Sequence, residues 1–188
     1  MNRMSRFQPK NPDYRAIATA TFEQQRAMKT LGISIARLEP GEVDLAMDYS
    51  ADLTQQHGFI HAGIITAGLD TACGIAAFTL MPAATGILTV EFKTNLLAPA
   101  RGERFAFRAT VVKPGRTLTV CEARAYATHD GVETLIATMS GTLMALAGRG
   151  DGAGGDGLIR VAVQLCAAAM AIRRNSFYGS AVQLSLST

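Results

Sequence analysis

The 188-residue sequence has little cysteine, little net charge and no long apolar run, and each shortage excludes a class of protein. Cys73, Cys121 and Cys166 are odd in number and form no C-x-x-C pair, so a reduced, cytoplasmic setting is expected. The formal charge of +3 is too small to indicate nucleic-acid binding. Arg3 and Arg6 are not followed by an apolar segment, so no signal peptide is predicted. No apolar run reaches the roughly 18 residues of a membrane-spanning helix, so no membrane insertion is expected.

The composition along the chain predicts one domain with two appendages. Residues 1–13 are polar, contain two prolines and are interpreted as a flexible N-terminal leader. Residues 14–147 carry the regular hydrophobic patterns and are numerous enough to bury a core. From residue 148 the chain turns rich in Gly, Asp and Ala, so residues 148–188 are predicted to be a Gly-rich linker and a weakly ordered extension.

The hydrophobic periodicity of the middle part predicts two helices and six strands. Short, turn-rich connections between the strands favour antiparallel pairing of successive strands. An amphipathic helix is predicted over 14–31 and an apolar one over 62–80, with strands over 33–38, 42–49, 87–97, 104–112, 117–128 and 133–145.

The predicted order is two strands, one long apolar helix and then four strands. A helix that is apolar on nearly every side must be buried on nearly every side. A strongly curved antiparallel β-sheet wrapped around that central α-helix satisfies this requirement and keeps one face of the sheet in solvent. The expected fold class is therefore α+β.

The apolar helix contains an unexpected acid, Asp70, which is the only carboxylate between Asp52 and Glu91. An aspartate among Ile, Leu, Ala and Cys side chains is costly unless it is paired or takes part in chemistry. A carboxylate in this position suits a general base or a nucleophile. The alternative is a structural carboxylate bonded to the backbone or to a threonine.

Gly63 lies at the start of the same helix, where backbone N–H groups are unpaired and the helix dipole is positive. Without a side chain, its N–H could approach a carbonyl oxygen closely. The rise from Gly63 to Asp70 is about 10 Å, too far for both to act on one carbonyl within a chain. A two-fold dimer with antiparallel helices would bring them together along a stripe of small residues, namely Gly63, Ala67, Asp70, Gly74 and Ala77.

The loop before the helix contributes three further candidates. Gln55 could hold a water molecule or orient the acid, although it could equally be an exposed loop amide. His61 is expected to support the site rather than to react. His57 and His61 have no third ligand nearby, so no metal is predicted. No G-x-S-x-G motif indicates a serine nucleophile.

Three separate segments, in this order and spacing, resemble hotdog-fold acyl-CoA thioesterases of the PaaI type. They are the His61-Ala62-Gly63 helix start, Asp70 nine residues after the histidine, and the later strand Val-Glu-Phe-Lys-Thr-Asn-Leu-Leu-Ala-Pro-Ala at 90–100. The order of predicted elements agrees as well, and the resemblance covers roughly residues 25–146. It implies a homodimer, or a dimer of dimers, that hydrolyses acyl-CoA.

The resemblance also implies roles for individual residues. Asp70 corresponds to the base or nucleophile, Gly63 to the N–H that polarises the thioester carbonyl, and Gln55 to an Asn that positions water. Thr89 occupies the place of an assisting Ser or Thr. The sequence departs from the family pattern at Gln55 and at Ala62, where the family has Asn and Gly.

Basic residues near turns and strand ends are candidates for the phosphates of CoA. The resemblance implies such a contact for the loop from Lys113 to Arg116, and Lys93 with Asn95 is assigned to CoA as well. Arg binds phosphate as a fork and Lys as a point charge. Solvated surface charge is the alternative for each of them.

These observations together predict a hydrolase that releases CoA and a free acid from an acyl- or aryl-CoA thioester. No cofactor is expected, because CoA is part of the substrate. A non-catalytic acyl-CoA-binding module of the same fold is one alternative, although such a module would not need a buried acid. An acyl-carrier-protein dehydratase, which pairs a histidine with an acid, is a weaker one.

Overall fold

The structure of the protein is a computed structural model that describes residues 6–147. The predicted linker and extension, 148–188, lie outside the described residues. Two short helices, α1 (Tyr14–Glu23) and α2 (Arg26–Thr30), precede the strands β1 (Ile33–Glu39) and β2 (Glu42–Asp48). The long helix α3 (Ala62–Phe78) is followed by β3 (Thr85–Leu96), β4 (Arg104–Lys113), β5 (Leu118–His129) and β6 (Val132–Ala147).

The strands form one six-stranded antiparallel sheet in the order β1-β2-β4-β5-β6-β3. Helix α3 packs on its concave face against β4, β5 and β6. The α+β prediction, a curved antiparallel sheet around a long central helix, is confirmed. No helix within residues 6–147 is long and apolar enough to cross a membrane.

The pairing of successive strands was predicted wrongly for β3 and β4. β4 pairs with β2, while β3 pairs with β6 at the far edge of the sheet. The connection over residues 97–103 does not form a tight turn but crosses the end of the sheet beside the start of α3. There the N–H of Ile60 donates to the Ala100 carbonyl and the N–H of Tyr49 donates to the Glu103 carbonyl.

Two hairpin turns follow from the local sequence. Gly41 has φ +75° after Pro40, and this pair joins β1 to β2. Asp130 and Gly131 both have positive φ, 49° and 76°, between β5 and β6. An Asp-Gly pair of this conformation matches the twist of an antiparallel hairpin. Both turns depend on residues that are adjacent in the chain, so the sequence predicts them.

The N-terminal part differs from the prediction in its helix. The helix predicted over 14–31 is broken because Gln25 adopts an extended conformation with ψ 93°. The segment predicted to be a flexible leader includes residues that the structure describes. Phe7 packs against the core, and the buried Asn11 accepts a hydrogen bond from the N–H of Asp13.

Helix α3 approaches the sheet closely at Gly68, over Phe107 of β4. A Cβ atom on Gly68 would lie 2.6 Å from the Phe107 ring, which is fully buried. This distance is shorter than van der Waals contact allows, so only glycine lets the helix lie this near the strand. The packing of α3 therefore depends on the absence of a side chain at this position.

We expect Gly68→Ala to lower the free energy of unfolding by about 1–3 kcal/mol, because the methyl group forces a rigid core ring to move. Chemical denaturation of the variant measures the loss. The double variant Gly68→Ala/Phe107→Leu should lose less than the sum of its single variants, since the smaller side chain makes room. Strict additivity would show that the two residues do not press on each other.

Candidate active site

Helix α3 begins at a cap formed by His61. The His61 backbone is extended, with φ −60° and ψ 138°, and its carbonyl accepts hydrogen bonds from the N–H groups of Ile64 and Ile65. Its ring Nδ1 accepts the N–H of Gly63 at 2.9 Å. A side-chain acceptor at this position satisfies one of the unpaired donors of a helix start. The His61 ring thus caps the start of α3.

The cap changes which N–H can meet a ligand. The N–H of Gly63, predicted to polarise a carbonyl, is already bound to the His61 ring. Among the described residues, the N–H of Ala62 has no hydrogen-bond acceptor. The free donor at the helix start is therefore Ala62 rather than Gly63, one residue earlier than the sequence suggested. The first N–H groups of a helix all lack a partner within it, so the contact of the His61 ring with Gly63 is what distinguishes the two donors.

Gln55 is held in the loop before α3. Its Oε1 accepts the backbone N–H of His57, and its own backbone bonds Phe59 at 2.9 Å and Gly58 at 3.0 Å. Because an N–H group needs an acceptor, the amide oxygen must be the atom on that side. The amide NH₂ is then the end left for a ligand, so Gln55 can donate to a carbonyl oxygen.

A cavity of about 320 Å³ opens beside Gln55 and Ala62. Among the described residues that line it, Gln55 has the only polar side chain, so the cavity suits an uncharged, apolar group next to a polar one. Residues from the loop, from α3, from β6 and from the end of β3 form its walls. The lining consists of Gln55, Phe59, Ile60, Ala62, Ile65, Leu96, Ala98, Pro99, Ala100 and Ile136.

Asp70 lies outside this cavity, two turns further along α3. Its Oδ1 accepts a hydrogen bond of 2.8 Å from the Oγ1 of Thr89 on β3, so the structure brings these two predicted residues together. Partial burial raises the pKa of Asp70 above its ordinary value, while the Thr89 hydrogen bond opposes the rise. The carboxylate is therefore easier to protonate than an exposed aspartate.

The part of α3 that carries Asp70 is not covered by the rest of the described chain. Gly63, Ala67, Asp70 and Gly74 are exposed or half-buried, and a Cβ atom on Gly74 would meet nothing within 4 Å. Ala77, predicted to extend this stripe, is buried in the core. The uncovered face thus runs from Gly63 to Gly74, with Asp70 near its centre.

Strand β3, at the edge of the sheet, continues this uncovered face. Val90, Phe92 and Leu96 expose 46%, 47% and 57% of their surface. Phe92 and Leu96 pair with Gly141 and Ala137, which are buried under the helix, so they lie on the helix side of the sheet. An apolar sheet edge next to an uncovered helix face is typical of an interaction surface.

The predicted CoA ligands are not gathered at the cavity. Lys93 and Asn95 alternate with Phe92 and so lie on the outer face, where Asn95 donates to Thr138 at 3.3 Å. Lys113 and Arg116 lie at the β4–β5 connection, at the end of the sheet where α3 ends. Within one chain, both pairs are separated from Gln55 and Ala62.

The described histidines and cysteines have other surroundings. His57 and His61 belong to no group of three potential metal ligands within residues 6–147. The group found there is Glu103, His129 and Asp130, in which His129 pairs with Glu103 at 2.7 Å. The neighbouring Cys121 thiol and, after it, burial raise the pKa of Cys73, which keeps this core thiol protonated.

The six-stranded sheet around one long helix is the hotdog arrangement, and comparisons with known proteins agree. A family model described as "Thioesterase superfamily" matches residues 57–134. A crystal structure of a thioesterase family protein from Silicibacter pomeroyi is 60% identical, covers 72% of this chain and 99% of its own, and superposes with a TM-score of 0.71.

Two more distant proteins extend the comparison. A protein from Halobacterium salinarum with a provisional esterase name is 31% identical over 58% of this chain and 76% of its own length. The PaaI protein of the E. coli phenylacetic acid degradation operon shares the fold, with a TM-score of 0.65 at 20% identity over 73% of this chain and 96% of its own. The chain belongs to the thioesterase superfamily.

Proposed function

We propose that the protein is an acyl-CoA thioesterase that hydrolyses an acyl- or aryl-CoA to the free acid and CoA. The observation that carries the proposal is the pairing of two features of α3. A half-buried carboxylate, Asp70, lies on an uncovered face, and a free backbone donor, Ala62, lies beside an apolar cavity. Thioester hydrolysis requires a base or nucleophile together with a donor to the carbonyl oxygen.

The proposed reaction assigns one task to each group. The N–H of Ala62 and the amide NH₂ of Gln55 donate to the thioester carbonyl oxygen and stabilise its developing negative charge. Asp70 accepts a proton from the water whose oxygen attacks the carbonyl carbon. The C–S bond then breaks, and the CoA thiolate takes up that proton. If Asp70 instead attacks the carbonyl carbon directly, the C–S bond breaks, the CoA thiolate leaves and a mixed anhydride of Asp70 and the acyl group forms. Water then hydrolyses the anhydride, and attack at the Asp70 carbonyl carbon places labelled oxygen from water in the Asp70 carboxylate.

The reaction is completed by a second copy of the chain. Asp70 is eight residues from Ala62, a rise of roughly 12 Å, so the two cannot contact one carbonyl from the same helix. A two-fold dimer with adjacent β3 edges would set two α3 helices antiparallel along their uncovered faces. Ala62 would then lie near the partner's Asp70, and the exposed Phe92 and Leu96 would be buried.

This arrangement also gives the basic residues of the β4–β5 connection a role. Lys113 and Arg116 lie at the end of the sheet where α3 ends, which an antiparallel dimer turns toward the start of the partner's α3. We therefore assign the CoA phosphates to Lys113 and Arg116. Lys93 and Asn95 lie on the outer face and could reach CoA only from that side.

Release of free thiol from a series of CoA thioesters tests the proposed function. The series contains short, medium, long and aromatic acyl groups, and we expect at least one class to be hydrolysed well above the uncatalysed rate. If none is hydrolysed, the enzymatic proposal fails. Tight binding of a thioester without hydrolysis would instead support the non-catalytic acyl-CoA-binding module.

The acid limb of the pH–rate profile is expected above the ordinary pKa of aspartate, because burial raises the pKa of Asp70. Activity needs the ionised form, so kcat/KM should fall as the pH drops through that raised pKa. Thr89→Val removes the hydrogen bond that opposes the rise, and the acid limb should move to higher pH. Profiles for wild type and Thr89→Val check this, and a shift to lower pH would contradict it.

A further inference from the structure

Strand β6 contains an irregularity at the wall of the cavity. Ala137 pairs with Ala125 of β5, and Leu135 pairs with Tyr126, so Ile136 is an extra residue without a partner in the ladder. Such a β-bulge redirects a side chain that would otherwise alternate from face to face. Ile136 and Ala137 are consequently both buried, although they are adjacent in the strand.

The bulge brings the Ile136 side chain into the cavity, where it forms part of the floor. Ile136 is 2% exposed, and the neighbouring Ile60 and Ile65 are 3% and 1% exposed. Leu96 and Pro99, at the opening, are exposed. The three isoleucines therefore close the deep end of the cavity, and Gln55 is the polar side chain in the lining.

The backbone of Ile136 also holds the opposite wall. Its carbonyl accepts the N–H of Leu97 at 2.8 Å and the N–H of Ala98 at 3.3 Å. These bonds attach the end of β3 and the segment from Ala98 to Ala100 to the bulge. The depth of the cavity and the position of its wall thus depend on the same residue.

The cavity volume indicates the size of the group that it can take. One water molecule takes up roughly 30 Å³ in the liquid, and we use that volume for each heavy atom. The cavity of about 320 Å³ then accommodates on the order of ten heavy atoms. Within residues 6–147 the lining carries no charged side chain, so a dicarboxylic acyl group would be buried there without a partner. An uncharged acyl or aryl group of about this size fits both limits.

We propose that Ile136, directed inward by the β-bulge, determines the length of the acyl group by closing the deep end of this cavity. This inference rests on the proposed function and goes beyond it by naming the specificity-determining residue and an uncharged, medium-length class of acyl group. Because Ile136 lies on a strand held by β5 and by the end of β3, it forms a fixed floor.

The test compares kcat/KM of wild type, Ile136→Ala and Ile136→Phe over straight-chain acyl-CoAs from short to long. Ile136→Ala removes three carbons from the side chain and should shift the preferred acyl group by about three carbons toward longer chains. Ile136→Phe enlarges the side chain and should shift the preference toward shorter chains. One methylene in an apolar pocket changes kcat/KM by about 10-fold or more, so the ratio of long-chain to short-chain kcat/KM should change at least that much.

Two further variants keep the test independent of how well Ile136→Ala folds and supply a control. Ile136→Val removes one methyl group and should shift the same ratio in the same direction by a smaller factor, even if Ile136→Ala folds poorly. Leu135→Ala alters the adjacent residue, which pairs with Tyr126 and does not line the cavity, and should leave the ratio unchanged. Unchanged ratios in all Ile136 variants of an active enzyme would overturn the inference.

The inference can fail separately from the proposed function. Calorimetric affinities of non-hydrolysable acyl-CoA thioether analogues with the same chain lengths, for wild type and the Ile136 variants, report the depth of the cavity without any turnover. If wild type hydrolyses no thioester but its affinities shift with the Ile136 variants, the enzymatic proposal fails and the role of Ile136 stands. Affinities and rates that are both insensitive to Ile136 would refute that role.

Discussion

Asp70→Asn is expected to lower kcat by about 10²- to 10⁴-fold, the contribution typical of a positioned base. The amide has nearly the same shape as the carboxylate, and its oxygen can still accept the Thr89 hydrogen bond, but it cannot accept a proton from water. KM should change little, because Asp70 lies outside the cavity that is assigned to the acyl group. Steady-state thiol release measures both constants.

The stability of Asp70→Asn separates a catalytic role from a structural one. Burial raises the pKa of Asp70 in the folded state, so between the unfolded and the folded pKa the native protein binds more protons. The contribution of Asp70 to the free energy of unfolding is therefore present at low pH and is lost as the pH rises through the folded-state pKa. At neutral pH the uncharged variant should unfold at the same free energy as wild type or a higher one.

Asp52→Asn provides a matched control, because Asp52 is an exposed carboxylate in the loop before α3. It should retain the wild-type kcat. Full activity of Asp70→Asn would show that the assigned acid is not the base. Loss of activity together with a large loss of stability would point to the structural role instead.

Ala62→Pro is expected to lower kcat by about 10²- to 10³-fold, which is the usual cost of removing one donor to a developing oxyanion. Proline lacks the backbone N–H that we assign to the carbonyl oxygen. The first position of a helix tolerates proline well, because its N–H has no partner within the helix. The backbone of His61 is already extended, as a residue before proline must be.

The control for this prediction is Ala62→Gly, which keeps the N–H and removes only a methyl group. It should retain activity within a few-fold, whereas Ala62→Pro should not. Thermal unfolding should show that the proline variant remains folded. Wild-type activity in a folded Ala62→Pro protein would mean that another donor binds the carbonyl.

The two inactive variants together test whether a second copy completes the site. In a mixed dimer of Asp70→Asn and Ala62→Pro, one site combines an intact Ala62 with an intact Asp70. Random mixing after unfolding and refolding should restore about a quarter of the wild-type rate, because half of the dimers are mixed and each has one intact site. No recovery would indicate that both groups act within one chain.

Much of the fold could be predicted because its signals are local. The apolar run after His61 and Pro82 beyond it bound a helix predicted at 62–80 and found at Ala62–Phe78. Pro40-Gly41 and Asp130-Gly131 placed two hairpins correctly, since few other residue pairs adopt those turns. The cost of a carboxylate among apolar side chains singled out Asp70 before any geometry was available.

The location of β3 could not be predicted from such signals. Residues 97–103 are as short as a hairpin connection, yet they cross the end of the sheet and leave β3 at the edge. Which strand lies beside β3 depends on how the whole sheet curves around α3. The alternation of side chains along β3 then places Lys93 and Asn95 on the outer face, away from the cavity.

The sequence by itself determined the order of elements, the buried helix and the acid within it, because hydrophobic periodicity and turn chemistry act over a few residues. Only the tertiary structure decided which groups meet. The His61 ring occupies the Gly63 N–H and leaves Ala62 free, Thr89 reaches Asp70 across the helix–strand interface, and a bulge turns Ile136 into the cavity. These contacts depend on side-chain directions and on strand register. Residues that are distant from one another in the chain determine both.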